Sequence, residues 1–471
     1  MKHTKIVATI SDLRCDTEFI AALYHEGLNV ARLNTAHITP DSALKMIENI
    51  RSVSDSIGIL VDTKGPEIRT ADIEGPIEVK RKQLVEVSGL CRKSNENRIS
   101  LTVSYPHFHT EIPENSKIMI DDGEIELDVV KKENDYVLCE VENPGTIKNK
   151  KSVNTPGFSV NLPSVSQKDE AFIEFAAKNN VDFIAHSFVR NKEDVIKVQE
   201  LLDKFDSPIK IIAKIENLDG VNNIDEILDH AYGIMVARGD LGIEIAAEKI
   251  PGIQRMLIKK AVQRKKPVII ATQMLHSMID NPRPTRAEVS DVANAIYSRV
   301  DAVMLSGETA YGQYPVEAVQ YMHRIAREIE SVKDKRNDIT IPSVENEVAY
   351  LAEAAIQASR ELKTTAIVTN TLTGRTALYL AAFRGDNPVY AQCYNMRVVR
   401  QLSLSYGVRA SLIVPKKDRF KMVRSSLKSL LDDNKLKGED MVVYVGGSFG
   451  IGGGSTFMEI STVDRLTQKV N

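Results

Sequence analysis

Along the first 330 positions, apolar residues recur in two alternating rhythms. Short β-rich runs alternate with longer stretches whose apolar residues fall three and four apart. Eight runs read as strands: Lys5–Ile10, Leu28–Arg32, Gly58–Asp62, Val181–His186, Lys210–Glu216, Tyr232–Ala237, Pro267–Thr272 and Asp301–Leu305. Amphipathic helical patterns such as "DEAFIEFAAKNN" and "NKEDVIKVQELLDKF" separate most of them. Strands alternating with helices predict a parallel sheet, and eight of them predict a closed (β/α)8 barrel.

One interval breaks the rhythm. Between the third and fourth strands, residues 71–155 carry the strand-like pieces "IEVKRKQLVEVS", "KIMIDDGEIELDVV" and "DYVLCEVE", divided by the turn signals "DDG" and "NPG". This predicts an inserted β domain riding on one barrel loop, a lid over the barrel mouth. The barrel then comprises 1–70 and 156–330. The polar stretch "SVKDKRNDITIPSVEN" (331–346) reads as a linker, after which α/β alternation restarts and predicts a third, C-terminal α/β domain over 331–471. Three domains agree with a length of 471 residues.

Composition narrows the class. Hydrophobic residues make up 43% and charged residues 27%, as in ordinary globular proteins, and the formal net charge of −3 offers no basic field for nucleic acid. The basic stretch "PKKDRFKMVR" (415–424) reads as a solvated helix face, with anion binding the alternative. The N-terminal segment has no signal-like apolar stretch and no run reaches the ~18 apolar residues of a membrane span, so no membrane association is expected. Four scattered cysteines without CxxC spacing point to reduced thiols in the cytoplasm rather than to zinc.

In such a barrel the active site lies at the carboxyl ends of the strands. The second ends in "VARLNTAH" (30–37), with Arg32 and Asn34. The third ends in Asp62-Thr63-Lys64 and the fourth in His186-Ser187. Lys214 and Glu216 lie on the fifth, Arg238-Gly239-Asp240 follow the sixth, Thr272-Gln273 the seventh and Ser306-Gly307-Glu308 the eighth. Lys214 and Glu216, two apart on a strand, face the same way. They read either as a buried ion pair or as part of a site. Glu216 with Asp240 forms a candidate Mg2+ pair, since that ion takes few protein carboxylates and leaves positions for substrate oxygens. Gly239 allows close backbone approach to a ligand. The segment "GGSFGIGGGST" (446–456) fits neither GxGxxG nor GxxxxGK[ST] and reads as a flexible loop.

These motifs resemble the pyruvate kinase family over the whole chain. "VDTKGPEIRT", "IIAKIEN", "MVARGDLGIEI", "ATQML", "RPTRAEVSDVANA" and "MLSGETAYGQYPVEAV" occur in the family's order. The resemblance implies a barrel, a β lid after the third strand and a C-terminal α/β domain. It implies phosphoryl transfer from phosphoenolpyruvate to ADP, the last step of glycolysis. Glu216 and Asp240 would hold Mg2+ (or Mn2+), and Lys214 would neutralise the phosphoryl group in flight and the enolate left behind. The amides of Gly239 and Asp240, with the Thr272 hydroxyl, would seat the substrate carboxylate. Thr272 would also help deliver the enolate proton, and Arg32 would contact the phosphoryl group. Arg69 and the lid residue Lys151 would bind nucleotide phosphates, with Thr35 and His37 beside the nucleotide. Asn34, Asp62 and the Thr63 carbonyl match a K+ site. The resemblance also implies a homotetramer and a phosphorylated allosteric effector.

Several positions depart from the family pattern. Ala36 stands where serine usually supplies a K+ ligand, while Glu67 is the residue type of K+-activated members, so the expectation is a K+ site completed by water. Ser152 replaces a common glycine. His276 replaces a common glutamate, either altering a proton relay or lying on a helix surface. "TNTLTGRTA" (369–377) reads either as a phosphate site for the effector or as a capped helix start. A Mg2+-dependent aldolase or lyase, and a catalytically silent metabolite sensor, are the competing functions. The lid and Lys214 count against the first. The joint presence of Arg32, Lys214, Glu216, Asp240 and Thr272 counts against the second.

Overall fold

The computed structural model describes residues 2–468 apart from 92–93, 95–97, 159, 333–338, 345, 417 and 448–453. Parts of the linker at 331–346 and of the glycine-rich segment at 446–456 therefore lie outside the described residues. Eight parallel strands close a barrel in the order expected of consecutive βα units: Lys5–Ile10, Val30–Asn34, Gly58–Asp62, Phe183–His186, Lys210–Ile215, Gly233–Ala237, Val268–Ala271 and Ala302–Leu305. The eight apolar runs each supply one strand.

The second strand starts two residues later than its apolar run suggests, and the cause is local. Gly27, at φ 117, closes the preceding helix, and both its amide and that of Leu28 return to the Leu23 carbonyl. Leu28 therefore belongs to the helix cap. The strand runs on to Asn34, which pairs in register with Asp62 of the third strand.

Alternation assigns the faces. Val7, Val30, Leu60, Phe183, Ile212, Met235 and Ile269 form a separate buried cluster with Ala185 and Ala271, which fills the barrel lumen. Their neighbours, such as Ile6, Ala31, Ile59, Ile211 and Ile234, pack in the outer core among the helices. Stepping by two from Val30, Leu60 and Ile212 along their strands gives Arg32 and Asn34, Asp62, then Lys214 and Glu216. The same period that fills the lumen with apolar side chains thus delivers polar ones to its mouth.

The insertion forms a second closed barrel of seven strands with its own apolar core. It begins with Ile68–Ala71, which pairs with Ser152–Asn154 on one side and Ile99–Val103 on the other, so Arg69 is a residue of this barrel's sheet. The C-terminal part is a five-stranded sheet ordered Val408–Leu412, Val389–Cys393, Ala366–Thr371, Met441–Gly447 and Ser455–Thr462. The last strand alone is antiparallel. It is fixed to the opposite face of the large barrel by ion pairs at strand beginnings: Arg400 Nε to Asp182 at 2.6 Å and Arg384 Nη1 to Asp301 at 2.9 Å. Among the described residues no helix is long and apolar enough to cross a membrane.

Candidate active site

Lys214 is buried at the centre of the barrel mouth. Its ammonium lies 3.1 Å from Asp62 Oδ1 and 3.0 Å from Glu216 Oε1, and donates to Ser187 Oγ at 2.6 Å. Burial disfavours the charged amine, but the two carboxylates outweigh it and hold the Lys214 pKa above the ordinary lysine value. Arg32 adds a second cation: its Nε donates to Asp62 Oδ2 at 2.6 Å and its Nη1 to Thr9 Oγ1 at 2.9 Å. Asp62 is fully buried. Burial opposes its charge, yet Lys214 and Arg32 hold it below the usual carboxylate range.

Glu216 receives the Phe188 amide on Oε2 at 2.8 Å. Phe188 takes φ 56, which turns that amide toward the carboxylate. Burial raises the Glu216 carboxyl to about 7 against the pull of Lys214, and the Asp240 charge adds to the rise. Asp240 is raised as well, again chiefly by burial, with Lys214 opposing and the lid residue Asp122 adding to it. Two largely buried carboxylates side by side repel each other and call for a cation. With hard oxygen donors only and an open side toward the mouth, the pair fits Mg2+ or Mn2+. Among the described residues no group of three or more His, Cys, Asp or Glu side chains forms a metal cluster.

The seventh strand stops at Ala271, one residue short of its apolar run. Thr272 and Gln273 follow at φ 65 and 54, a conformation costly for a β-branched residue, of order 1–3 kcal/mol. The surroundings impose it. Arg238 is clamped to Asp291 by contacts of 2.7 and 2.6 Å and donates from Nη2 to the Thr272 carbonyl at 2.8 Å. The Thr272 hydroxyl accepts the Gly239 amide at 2.9 Å and donates to the Ala271 carbonyl at 2.7 Å. A Cβ added at Gly239 would lie 3.6 Å from Thr272 Oγ1, an ordinary van der Waals contact.

Each of the expected monovalent-cation ligands has a protein partner of its own. Asn34 Oδ1 accepts the Ala36 amide at 3.2 Å, and the Thr63 carbonyl accepts Ser187 Oγ at 2.6 Å. Lys168 donates to the Ala36 carbonyl at 3.4 Å, so an ammonium already stands at the residue that departs from the pattern. By donor type, the Asn34 amide oxygen, the Thr63 carbonyl and the Asp62 carboxylate are all the hard oxygens a monovalent ion takes.

Of the residues expected at the nucleotide, His37 is exposed at the rim. Arg69 lies on a lid strand, and Lys151 immediately precedes Ser152–Asn154, the strand paired with it. Arg69 pairs with Glu67 at 2.8 Å, and Lys151 with Asp121 at 2.7 Å. Thr35 differs from expectation. It is fully buried, and both its amide and its hydroxyl donate to the Asp62 carbonyl, at 3.0 and 2.9 Å. Its side chain fixes the join of the second and third strands and offers nothing to a nucleotide. Glu308 is likewise structural, accepting the Leu275 and Ser306 amides while buried. His276 is exposed at the start of a short 3-10 turn. Ser152 donates to Asp122 Oδ1 at 2.8 Å within the lid.

Sequence reasoning left Ser187 and the Phe188 amide without roles. Ser187 ties three parts together, accepting from Lys214 and donating to the Thr63 carbonyl at 2.6 Å, with Asp62 Oδ1 an alternative acceptor at 3.3 Å. Its place two residues beyond Ala185, a lumen residue, is the signal that could have found it.

The comparisons with known proteins agree with this geometry. The family described as "Pyruvate kinase, barrel domain" matches residues 1–319, and "Pyruvate kinase, alpha/beta domain" matches residues 350–461. The chain is 47% identical to a pyruvate kinase of Borreliella burgdorferi over 475 residues, covering 98% of both. It is 42% identical to one of Geobacillus stearothermophilus over 480 residues, covering 99% of this chain and 81% of that one. A crystal structure of a pyruvate kinase from Cryptosporidium parvum superimposes with a TM-score of 0.91 at 34% identity, covering 98% of this chain and 96% of that one. Matched at both ends and over nearly its full length, the chain belongs to the pyruvate kinase family, whose reaction passes the phosphoryl group of phosphoenolpyruvate to ADP.

Proposed function

We propose that the mouth of the large barrel performs this transfer with Lys214, Arg32 and Thr272 as the catalytic side chains. The single observation that carries the assignment is Lys214, a buried ammonium held charged between Asp62 and Glu216 beside a second cation, Arg32. Phosphoryl transfer asks a protein for positioning and charge neutralisation more than for covalent chemistry. Lys214 and Arg32 answer both needs, since their Asp62 anchor fixes them before substrate arrives.

Glu216 and Asp240 hold Mg2+ or Mn2+, which when bound supplies positive charge to the phosphoryl and enolate oxygens. The Gly239 and Asp240 amides and the Thr272 hydroxyl seat the substrate carboxylate. The Thr272 hydroxyl, fixed by the Gly239 amide it accepts and the Ala271 carbonyl it donates to, passes a proton by way of water to the enolate carbon. Arg69 and Lys151 bring lid cations to the nucleotide phosphates, with His37 at the rim, and the lid excludes water that would hydrolyse the phosphoryl group. Asn34, Asp62 and the Thr63 carbonyl hold K+, completed by water at Ala36.

The C-terminal domain supports a second ligand. A cavity of about 320 Å³ is lined by Thr371, Thr373, Arg375, Arg419 and Tyr444. Two arginines beside threonine hydroxyls suit a phosphorylated effector. The free edge of the Ser455–Thr462 strand and the exposed Tyr311 and Tyr350 support a homotetramer. Four free cysteines support a cytoplasmic location.

The test is formation of pyruvate and ATP from phosphoenolpyruvate and ADP. Mg2+ and K+ are titrated, and sugar phosphates and AMP are added as effectors. Absence of nucleotide-dependent turnover under all of these conditions overturns the reading.

A further inference from the structure

Asp169 is a fully buried carboxylate that the transfer chemistry leaves unused. It lies in the first turn of the helix Gln167–Lys178, where it completes a capping box with Ser166. Among the described residues it forms no ion pair. Its Oδ2 accepts the Ser166 hydroxyl at 2.6 Å and the Ser166 amide at 3.4 Å, and its Oδ1 accepts the Lys64 amide at 2.9 Å. A charge without an opposite charge is costly to bury, and capping alone does not require it. Among the described residues the other two capping boxes of the large barrel close on Ser42 and Glu288, both part-exposed.

The Lys64 amide belongs to the same peptide group as the Thr63 carbonyl. A trans peptide points its N–H and C=O in opposite directions, and no described peptide bond is cis. With the amide fixed on Asp169, the carbonyl faces away and meets Ser187 Oγ at 2.6 Å. The Ser187 oxygen in turn accepts the Lys214 ammonium at 2.6 Å. Three hydrogen bonds and one peptide group thus connect Asp169 to Lys214, and bonds in such a chain polarise one another.

Ser187 has one hydroxyl proton and two acceptors within reach, the Thr63 carbonyl and, at 3.3 Å, Asp62 Oδ1. Asp62 Oδ1 is also the oxygen that stands 3.1 Å from the Lys214 ammonium. A carboxylate behind the peptide draws on its amide proton and raises the negative charge of its carbonyl oxygen. The Ser187 proton is thereby directed to Thr63, and Asp62 Oδ1 is left to Lys214.

We propose that Asp169 is a positioning residue for phosphoryl transfer, acting on the Lys214 ammonium through the Thr63–Lys64 peptide and the Ser187 hydroxyl. The proposal rests on the assignment of Lys214 as a catalytic side chain. Without the Asp169 charge the Thr63 carbonyl holds the Ser187 proton less firmly, the hydroxyl turns toward Asp62, and the ammonium loses part of its anchor. The loss falls on charge placement in the transition state, so on kcat rather than KM.

Steady-state kinetics of the full chain with phosphoenolpyruvate and ADP tests this as a cycle of Asp169→Asn, Ser187→Ala and the double variant. Asparagine keeps the shape and removes the charge. Asp169→Asn should lower kcat by at least ~5-fold, with KM for phosphoenolpyruvate within about twofold. In the Ser187→Ala background the same replacement should change kcat by less than about twofold, because the hydroxyl it directs is gone. A role confined to helix capping lowers the urea midpoint and gives the same fold-loss of kcat in both backgrounds. Should Asp169→Asn fail to unfold cooperatively, Asp169→Ser takes its place in the cycle, since serine already serves this capping position at Ser42. Equal losses in the two backgrounds, or a kcat within about twofold of the unaltered chain, overturn the proposal. Near-normal turnover of Lys214→Met overturns the catalytic assignment and this proposal together. A large loss in Lys214→Met beside equal losses in the cycle overturns the role of Asp169 alone.

Discussion

Asp62 Oδ1 stands 3.1 Å from the Lys214 ammonium, and the same carboxylate holds Arg32 through its other oxygen at 2.6 Å. One buried anion thus sets the distance between the two cations proposed to meet the phosphoryl group. Removing it leaves two neighbouring positive charges without their shared partner. Asp62→Asn should therefore cost about 3–5 kcal/mol of stability, the scale for breaking a buried pair, and lower turnover through misplacement of both cations. Urea unfolding and steady-state kinetics measure the two effects, and an unchanged denaturation midpoint would remove Asp62 from this role.

Much of this site was legible because barrel patterning and site placement share one period. The sequence places Arg32, Asp62 and Lys214 at strand ends, and in the structure they share the period of the lumen residues Val30, Leu60 and Ile212. What was not legible depends on backbone conformation and on spare hydrogen-bonding capacity. Threonine is a poor residue for positive φ, so nothing in its identity foretold the turn at Thr272, which Arg238 and Asp291 brace from two separate helices. Thr35 looks like a polar rim residue in sequence, but the Asp62 carbonyl engages it in the interior. The Phe188 amide at Glu216 could not be foreseen from side-chain types at all.

Lys214→Met should lower kcat by at least ~100-fold with modest change in KM for phosphoenolpyruvate, as for loss of one preorganised charge-stabilising donor. The methionine also leaves Asp62 and Glu216 without their shared ammonium, so the variant's unfolding curve must be recorded beside its kinetics. Near-normal turnover in a folded Lys214→Met protein sinks the catalytic assignment.

Ala36→Ser should tighten K+ by about fivefold, the equivalent of one added ligand oxygen at ~1 kcal/mol. The residue already lies where the Asn34 amide oxygen and the Lys168 ammonium converge, 3.2 and 3.4 Å from its backbone. The K+ concentration for half-maximal activity measures the effect. If activity is indifferent to K+ and Ala36→Ser changes nothing, the monovalent site is misplaced, while the transfer chemistry is untouched.

His186 provides a pH-dependent test of the barrel end itself. The ring is fully buried, with Nδ1 3.5 Å from Thr63 Oγ1, and burial lowers its pKa to about 4, with Asp194 and Asp169 opposing the fall. The ordinary value in the unfolded chain is about 6.5. The unfolded state therefore binds the proton first, and between these values stability must fall as pH falls. Each pH unit of that window is worth up to ~1.4 kcal/mol, so lowering the pH from 6.5 to 5 should remove about 2 kcal/mol through this residue. His186→Gln retains polarity without titrating, and it should flatten the loss over this interval while the contribution of other groups persists. Urea unfolding of both proteins at pH 7, 6 and 5 measures the difference. Parallel curves for the two proteins would show that His186 is protonated alike in the folded and unfolded states, which a ring buried at the end of the fourth strand cannot be.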